Sequence, residues 1–214
     1  HGTLRLKADL DGETIVRVDP EIGFLHTGFE KLGEHHTYNQ FVTVTDRMNY
    51  ISPLSNNFGY AFAVEELMGL DVPERARTIR VILAELSRVA DHIFCIGMMS
   101  LDLGAWSVLL WSFRERAKLY DIFESITGTR LTTSYARVGG LAADVPPEFA
   151  AQIRPSIVSL RELLRDVDRM LTHNRIFIDR MRVVGAISGA EALDAGMTGP
   201  CLRATGVAYD VRRA

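Results

Sequence analysis

One stretch does most to decide what this chain can fold into. Asp71-Val72-Pro73-Glu74 is a helix-start signal with proline in the first turn. Ile79, Ile82, Leu83, Leu86, Ala90 and Ile93 then follow at spacings of three and four, the period of a one-sided apolar stripe. Carried through to Asp102, this helix is on the order of 45 Å long. A rod of that length needs other helices beside it. The 214 residues, 47% of them hydrophobic, suffice for a core in one domain or in two closely packed ones.

The surrounding sequence supplies those helices and one β element. Leu4, Leu6, Ala8 and Leu10 alternate with Thr3, Arg5, Lys7 and Asp9, and Asp11-Gly12 turns the chain before Thr14–Val18. The pattern predicts a half-buried antiparallel pair. Ser55 is the expected cap of a helix ending near Gly69, with Phe58, Ala61, Phe62 and Leu67 inward. A helix over 107–127 should stop at Gly128. Another should start at Pro146-Pro147-Glu148 and reach about His173, with Pro155 as a kink or restart. Ser188-Gly189-Ala190-Glu191 caps a short helix closed by Gly196. The expected class is mainly α with some β, a small antiparallel N-terminal piece followed by a helical bundle. The expected divisions are a β-rich segment over 1–53, the bundle over 54–180, and a C-terminal region starting at 181.

Composition removes several functions. A net charge of −3 and a pI near 6.1 supply no basic field for nucleic acid. No Gly-x-Gly-x-x-Gly follows a strand, so a nicotinamide fold is not expected. Cys95 and Cys201 stand alone, outside any Cys-x-x-Cys. No run approaches the roughly 20 apolar residues of a membrane span, so any membrane role is expected to come through partners.

Gly23-Phe24-Leu25-His26-Thr27-Gly28-Phe29-Glu30, Arg47-Met48-Asn49-Tyr50, Leu101-Asp102-Leu103-Gly104-Ala105 and Tyr135-Ala136-Arg137-Val138-Gly139-Gly140 carry a family resemblance along the whole chain. Their sequence resembles the quinone-site subunit of respiratory complex I, known as the D subunit in bacteria and the 49-kDa subunit in mitochondria. That family is related to the large subunit of nickel–iron hydrogenase, and the resemblance implies its hydrogenase-like fold. A nickel–iron centre needs paired thiolates, which this sequence lacks, so the resemblance implies no metal in this chain. The abrupt ends read, against that family, as a fragment of a chain nearly twice as long.

The resemblance implies a function. The family's quinone-headgroup ligands fall on His1 and Tyr50, with Asp102 paired to His1. These residue types suit the chemistry. A quinone taking two electrons must also take two protons, so donors are needed at both carbonyl oxygens. A tyrosine hydroxyl can serve one and an imidazole the other, and a carboxylate behind the imidazole orients it and favours its charged form. The expected cofactors are therefore a quinone (menaquinone or ubiquinone) as substrate and an iron–sulfur cluster held by a partner. Thr27, Arg130, Thr132 and Arg137 are expected near that cluster. The implied partners are the iron–sulfur B subunit and the C subunit of the peripheral arm, with the H subunit of the membrane arm. NADH is the expected electron source through a distant flavin, proton translocation the coupled output, and the cytoplasmic face of the bacterial inner membrane the expected place.

Two departures refine this. Many ubiquinone-reducing relatives have arginine at Thr27 and histidine at Thr132. Losing a nearby cation and a titratable donor should lower the cluster's potential. The Leu-His-Thr-Gly-Phe-Glu-Lys version resembles that of some menaquinone-using bacteria. The rival readings are a hydrogenase-type catalytic subunit, disfavoured by the cysteines, and a structural assembly subunit without its own site. Glu30, at the position of a hydrogenase glutamate, is either a proton-path group or a surface carboxylate. Glu85 and Arg88 are expected to pair across one helical turn.

Overall fold

A computed structural model describes residues 3–213. Among the described residues, two strands, β1 (Arg5–Asp11) and β2 (Thr14–Glu21), precede nine α-helices. These are α1 (Phe29–Gly33), α2 (Tyr38–Thr45), α3 (Pro53–Met68), α4 (Glu74–Asp102), α5 (Trp106–Thr127), α6 (Phe149–Val167), α7 (Arg175–Met181), α8 (Gly189–Asp194) and α9 (Gly199–Ala204). Between α5 and α6 lie the two-residue strands β3 (Ala136–Arg137) and β4 (Gly140–Leu141). The class is mainly α with some β, as the patterning predicts. The residues group into two compact units, 3–94 with 116–156, and 95–115 with 157–213.

In the first unit, β1 and β2 form an antiparallel hairpin around Gly12, whose φ of 61° suits glycine in a tight turn. Cross-strand partners Arg5–Glu21, Lys7–Asp19 and Asp9–Arg17 put opposite charges on one face, while Leu6–Pro20 and Ala8–Val18 share the other. The expected half-burial does not occur. Leu6, Leu10, Ile15 and Val18 all stay exposed, because no element of the described chain covers this face.

α3 begins one turn earlier than the Ser55 cap implies. Pro53 takes the first helical position, Ser52 precedes it, and Ser55 lies inside. Leu54, Phe58, Ala61 and Val64 are buried, but Phe62 and Leu67, expected inward, are not. Phe62 sits at the edge of the core because its ring covers the guanidinium of Arg80, 5.2 Å from the centroid. Leu67 is 81% exposed, since Asn57 and Glu65 occupy the buried stripe instead. On α4, Ile79, Leu83, Leu86, Ala90 and Ile93 are buried as the spacing requires, and Ile82 is half-buried. The exposed Glu85–Arg88 pair forms across one turn.

α6 also departs from expectation. It runs through Pro155 without a restart and ends at Val167 in a wide π turn, Asp168–Thr172. Pro155 falls in its second turn, where little helix precedes the missing N–H. At α8 the predicted capping box is present. The Ser188 hydroxyl accepts from the Glu191 N–H at 3.2 Å, and the Glu191 carboxylate accepts from the Ser188 N–H at 2.9 Å. Ser188→Ala should lower stability by about 1 kcal/mol, measured by chemical denaturation. No helix among the described residues is long and apolar enough to cross a membrane.

Candidate functional site

Tyr50 lies in the turn between α2 and α3, and the local sequence fixes that turn at several points. The Ser52 N–H donates to the Asn49 carbonyl at 3.0 Å, and the Asn56 amide donates to the same oxygen at 3.0 Å. The Asn49 amide reaches Asp91 on α4 at 3.0 Å, and the Ser52 hydroxyl meets that of Ser87, also on α4, at 3.0 Å. Tyr50 itself is 45% exposed. Its hydroxyl makes no hydrogen bond among the described residues, so a donor is held on an anchored backbone and left open.

Upstream, Asp46 is fully buried. Its carboxylate accepts from the Ser134 N–H at 3.0 and 3.2 Å, from the Asn57 amide at 2.9 Å and from the Ser134 hydroxyl. The Asn57 side-chain oxygen Oδ1 in turn accepts from the Tyr135 N–H at 3.2 Å. These bonds hold the start of the loop that carries Arg137.

A second buried group holds the end of the same loop. Arg80, with no exposed surface, donates in a fork to Glu65 at 2.6 and 2.7 Å. It also donates to the carbonyls of Arg137 and Gly140, each at 2.9 Å, while Glu65 accepts from the Gly139 N–H at 2.7 Å. Hydrogen bonding from Arg80 holds the Glu65 carboxyl below its ordinary value, against the opposing effect of burial. The Tyr-x-Arg-x-Gly-Gly stretch is thus the β3–β4 hairpin, with Gly139 at φ 85° in its turn.

The other residues implied near a partner's cluster also fall in the first unit. Thr27 is exposed, its hydroxyl 3.4 Å from the Leu25 carbonyl. Thr132 is partly buried, and its carbonyl accepts from the Thr129 hydroxyl at 3.0 Å. Arg130 is engaged by Asp121 and Glu124, each at 2.7 Å. Arg137 turns its guanidinium back onto the carbonyls of Ser134 and Ala136, both at 2.7 Å. His35 and His36 stand in a turn after α1, with His36 Nδ1 2.7 Å from the Leu32 carbonyl. Glu30 is exposed on α1.

Asp102 belongs to the second unit and is the last residue of α4. The helix is closed by its own backbone. The Ala105 N–H donates to the Ser100 carbonyl and the Gly104 N–H to the Leu101 carbonyl, both at 2.8 Å, with Gly104 at φ 90°. A carboxylate at the negative end of the helix dipole does not stabilise the helix. Beyond it, Leu103, Gly104, Ala105, Met170, Leu171 and Phe177 line a cavity of about 370 Å³. Arg180 also lines that cavity, donating to the Leu103 carbonyl at 2.6 Å. His1 lies outside the described residues.

Sequence reasoning passes over Asp46, Asn57, Glu65 and Arg80. Their only signal is a polar side chain at an inward helical position.

Comparison with known proteins places the chain. A sequence profile described as the respiratory-chain NADH dehydrogenase, 49 Kd subunit, matches residues 102–214. A protein of Roseiflexus castenholzii, named as a D subunit of NADH-quinone oxidoreductase, is 50% identical over 213 residues, covering 100% of this chain and 51% of that protein. The D subunit of NADH-quinone oxidoreductase from Geotalea uraniireducens is 48% identical over 213 residues, covering 100% of this chain and 55% of its own length. The Myxococcus xanthus protein of that name is also 48% identical, with 51% of its length covered. The chain spans about half the length of the curated relatives it matches. It belongs to the family of the 49 Kd subunit of respiratory-chain NADH dehydrogenase.

Proposed function

We propose that this chain forms one wall of the quinone-reduction site in a proton-translocating NADH:quinone oxidoreductase. The iron–sulfur B subunit forms the other wall. Electrons originating at NADH arrive one at a time from the cluster held there. The quinone takes two electrons and two protons and leaves as quinol. Tyr50 donates to one carbonyl oxygen and His1 to the other, with Asp102 behind His1. Thr27, Arg130, Thr132 and Arg137 face the cluster. The protonation change at His1 and Asp102 drives translocation in membrane-arm partners including the H subunit, and the C subunit completes the peripheral neighbourhood. The assembly sits at the cytoplasmic face of the bacterial inner membrane, and this chain attaches only through partners.

The observation that carries the reading is the state of Tyr50. A tyrosine that merely packs buries its ring and bonds its hydroxyl. This one is 45% exposed on a backbone tied down on both sides, with its hydroxyl unpartnered among the described residues.

The test uses the parent complex carrying Tyr50→Phe or Asp102→Asn. NADH oxidation by quinone should fall on the order of a hundredfold, the scale of losing a positioned proton donor. Oxidation by a hydrophilic acceptor that takes electrons at the flavin should stay intact. Near-normal rates with both acceptors would sink the site assignment.

A further inference from the structure

Ser134 has a φ of 41°, a left-handed backbone at a residue with a side chain. Such a conformation persists only where its surroundings over-determine it. Here the Asp46 carboxylate takes the Ser134 N–H and hydroxyl, and the Arg137 guanidinium donates to the Ser134 carbonyl at 2.7 Å. Asp46 receives both the N–H and the hydroxyl of Ser134, and it also takes the Asn57 amide at 2.9 Å. Asp46 is also the residue at which α2 ends and the Tyr50 turn begins. One buried anion therefore joins two segments 88 positions apart, the turn that presents Tyr50 and the loop that presents Arg137.

A carboxylate is an expensive way to join two loops unless its position matters, because an anion without exposed surface must be fully hydrogen-bonded to be tolerated. A carboxylate has the acceptor capacity to take these donors together, with no proton of its own to misdirect. An amide in its place offers one accepting oxygen and a nitrogen whose hydrogens would meet the Ser134 N–H.

We propose that Asp46 is a positioning residue that holds the Tyr50 turn in register with the strained Ser134 loop. The donor of one wall and the Arg137 loop thereby keep a fixed separation. Asp46 touches no substrate. It acts through the backbone at both of its ends. The inference rests on the quinone-site reading above.

The test is made in the assembled complex with Asp46→Asn and, separately, Ser134→Gly. The glycine variant relieves the strained φ and keeps the backbone bond while removing the hydroxyl, so it folds even where the first does not. With Asp46→Asn the quinone KM should rise about tenfold with a smaller change in kcat, as expected when a donor is loosened rather than removed. Ser134→Gly should move KM in the same direction by about threefold, since one bond of several is lost. Neither should alter the rate with the hydrophilic acceptor, whereas a defect in assembly would lower both reactions together. Tyr50→Phe is measured alongside. If it abolishes quinone reduction while both clamp variants keep the native KM, the positioning role is overturned and the quinone-site reading stands. If Tyr50→Phe leaves quinone turnover normal, the reading itself fails and the inference falls with it.

Discussion

Glu65→Ala should destabilise the chain by about 3–5 kcal/mol, the scale measured when one partner of a buried ion pair is removed. The size comes from what stays behind. Arg80 has no exposed surface, and its guanidinium would lose both bonds to Glu65 inside the core. The Gly139 N–H would also lose its acceptor, loosening the β3–β4 hairpin from which Arg137 projects. Replacing both members by apolar residues of similar shape should cost less, because no charge is then stranded and only the Gly139 N–H and the Arg137 and Gly140 carbonyls lose partners. Denaturant titration of the two variants, followed by the helical circular dichroism signal, separates these cases. Equal losses would mean that the pair is held by packing rather than by charge.

The same pair gives stability a pH dependence with a definite sign. Glu65 titrates lower in the folded chain than its ordinary 4.5, chiefly because Arg80 bonds its charged form. Its contribution is therefore complete above that ordinary value. It fades as pH falls through the range between the ordinary and the depressed value. Glu65→Gln should flatten the acid side of the stability profile.

Phe58→Ala should cost about 3–5 kcal/mol, the range for truncating a buried aromatic ring. Phe58 is 1% exposed, between Leu54 and Ala61 on the inner face of α3, and has no polar role to complicate the reading. A loss under about 1 kcal/mol would mean that the core closes around the gap. Leu67, 81% exposed on the same helix, provides the control, and its replacement by alanine should leave stability nearly unchanged.

The sequence is legible where one pattern repeats for many turns. α4 runs from Glu74 to Asp102, long enough for the apolar period to average over local exceptions, and its buried face is the one the spacing indicates. Gly128 and the Ser188 capping box mark boundaries because each satisfies end groups of its own helix, a purely local matter. The short helices α1, α2, α7 and α9 escape notice because one or two turns carry too little periodicity. On α3 the pattern misleads in a particular way. Phe62 and Leu67 are assigned inward for being apolar, while Asn57 and Glu65 take the buried places.

By itself, then, the sequence determined the helical class, the one long helix, the charged face of the N-terminal hairpin and the spacing of Tyr50 and Asp102 that carries the family resemblance. Each of these depends on neighbours within a few turns or on identity at a position. Only the tertiary structure decided that Asp46, Asn57, Glu65 and Arg80 belong inside. Their partners are the backbone groups of a loop 57 to 88 positions further on, and a polar side chain goes inward only when such partners wait for it. Nothing in the local pattern around Asp46 announces the Ser134 N–H, so the clamp between the Tyr50 turn and the Arg137 loop emerges only from the folded chain.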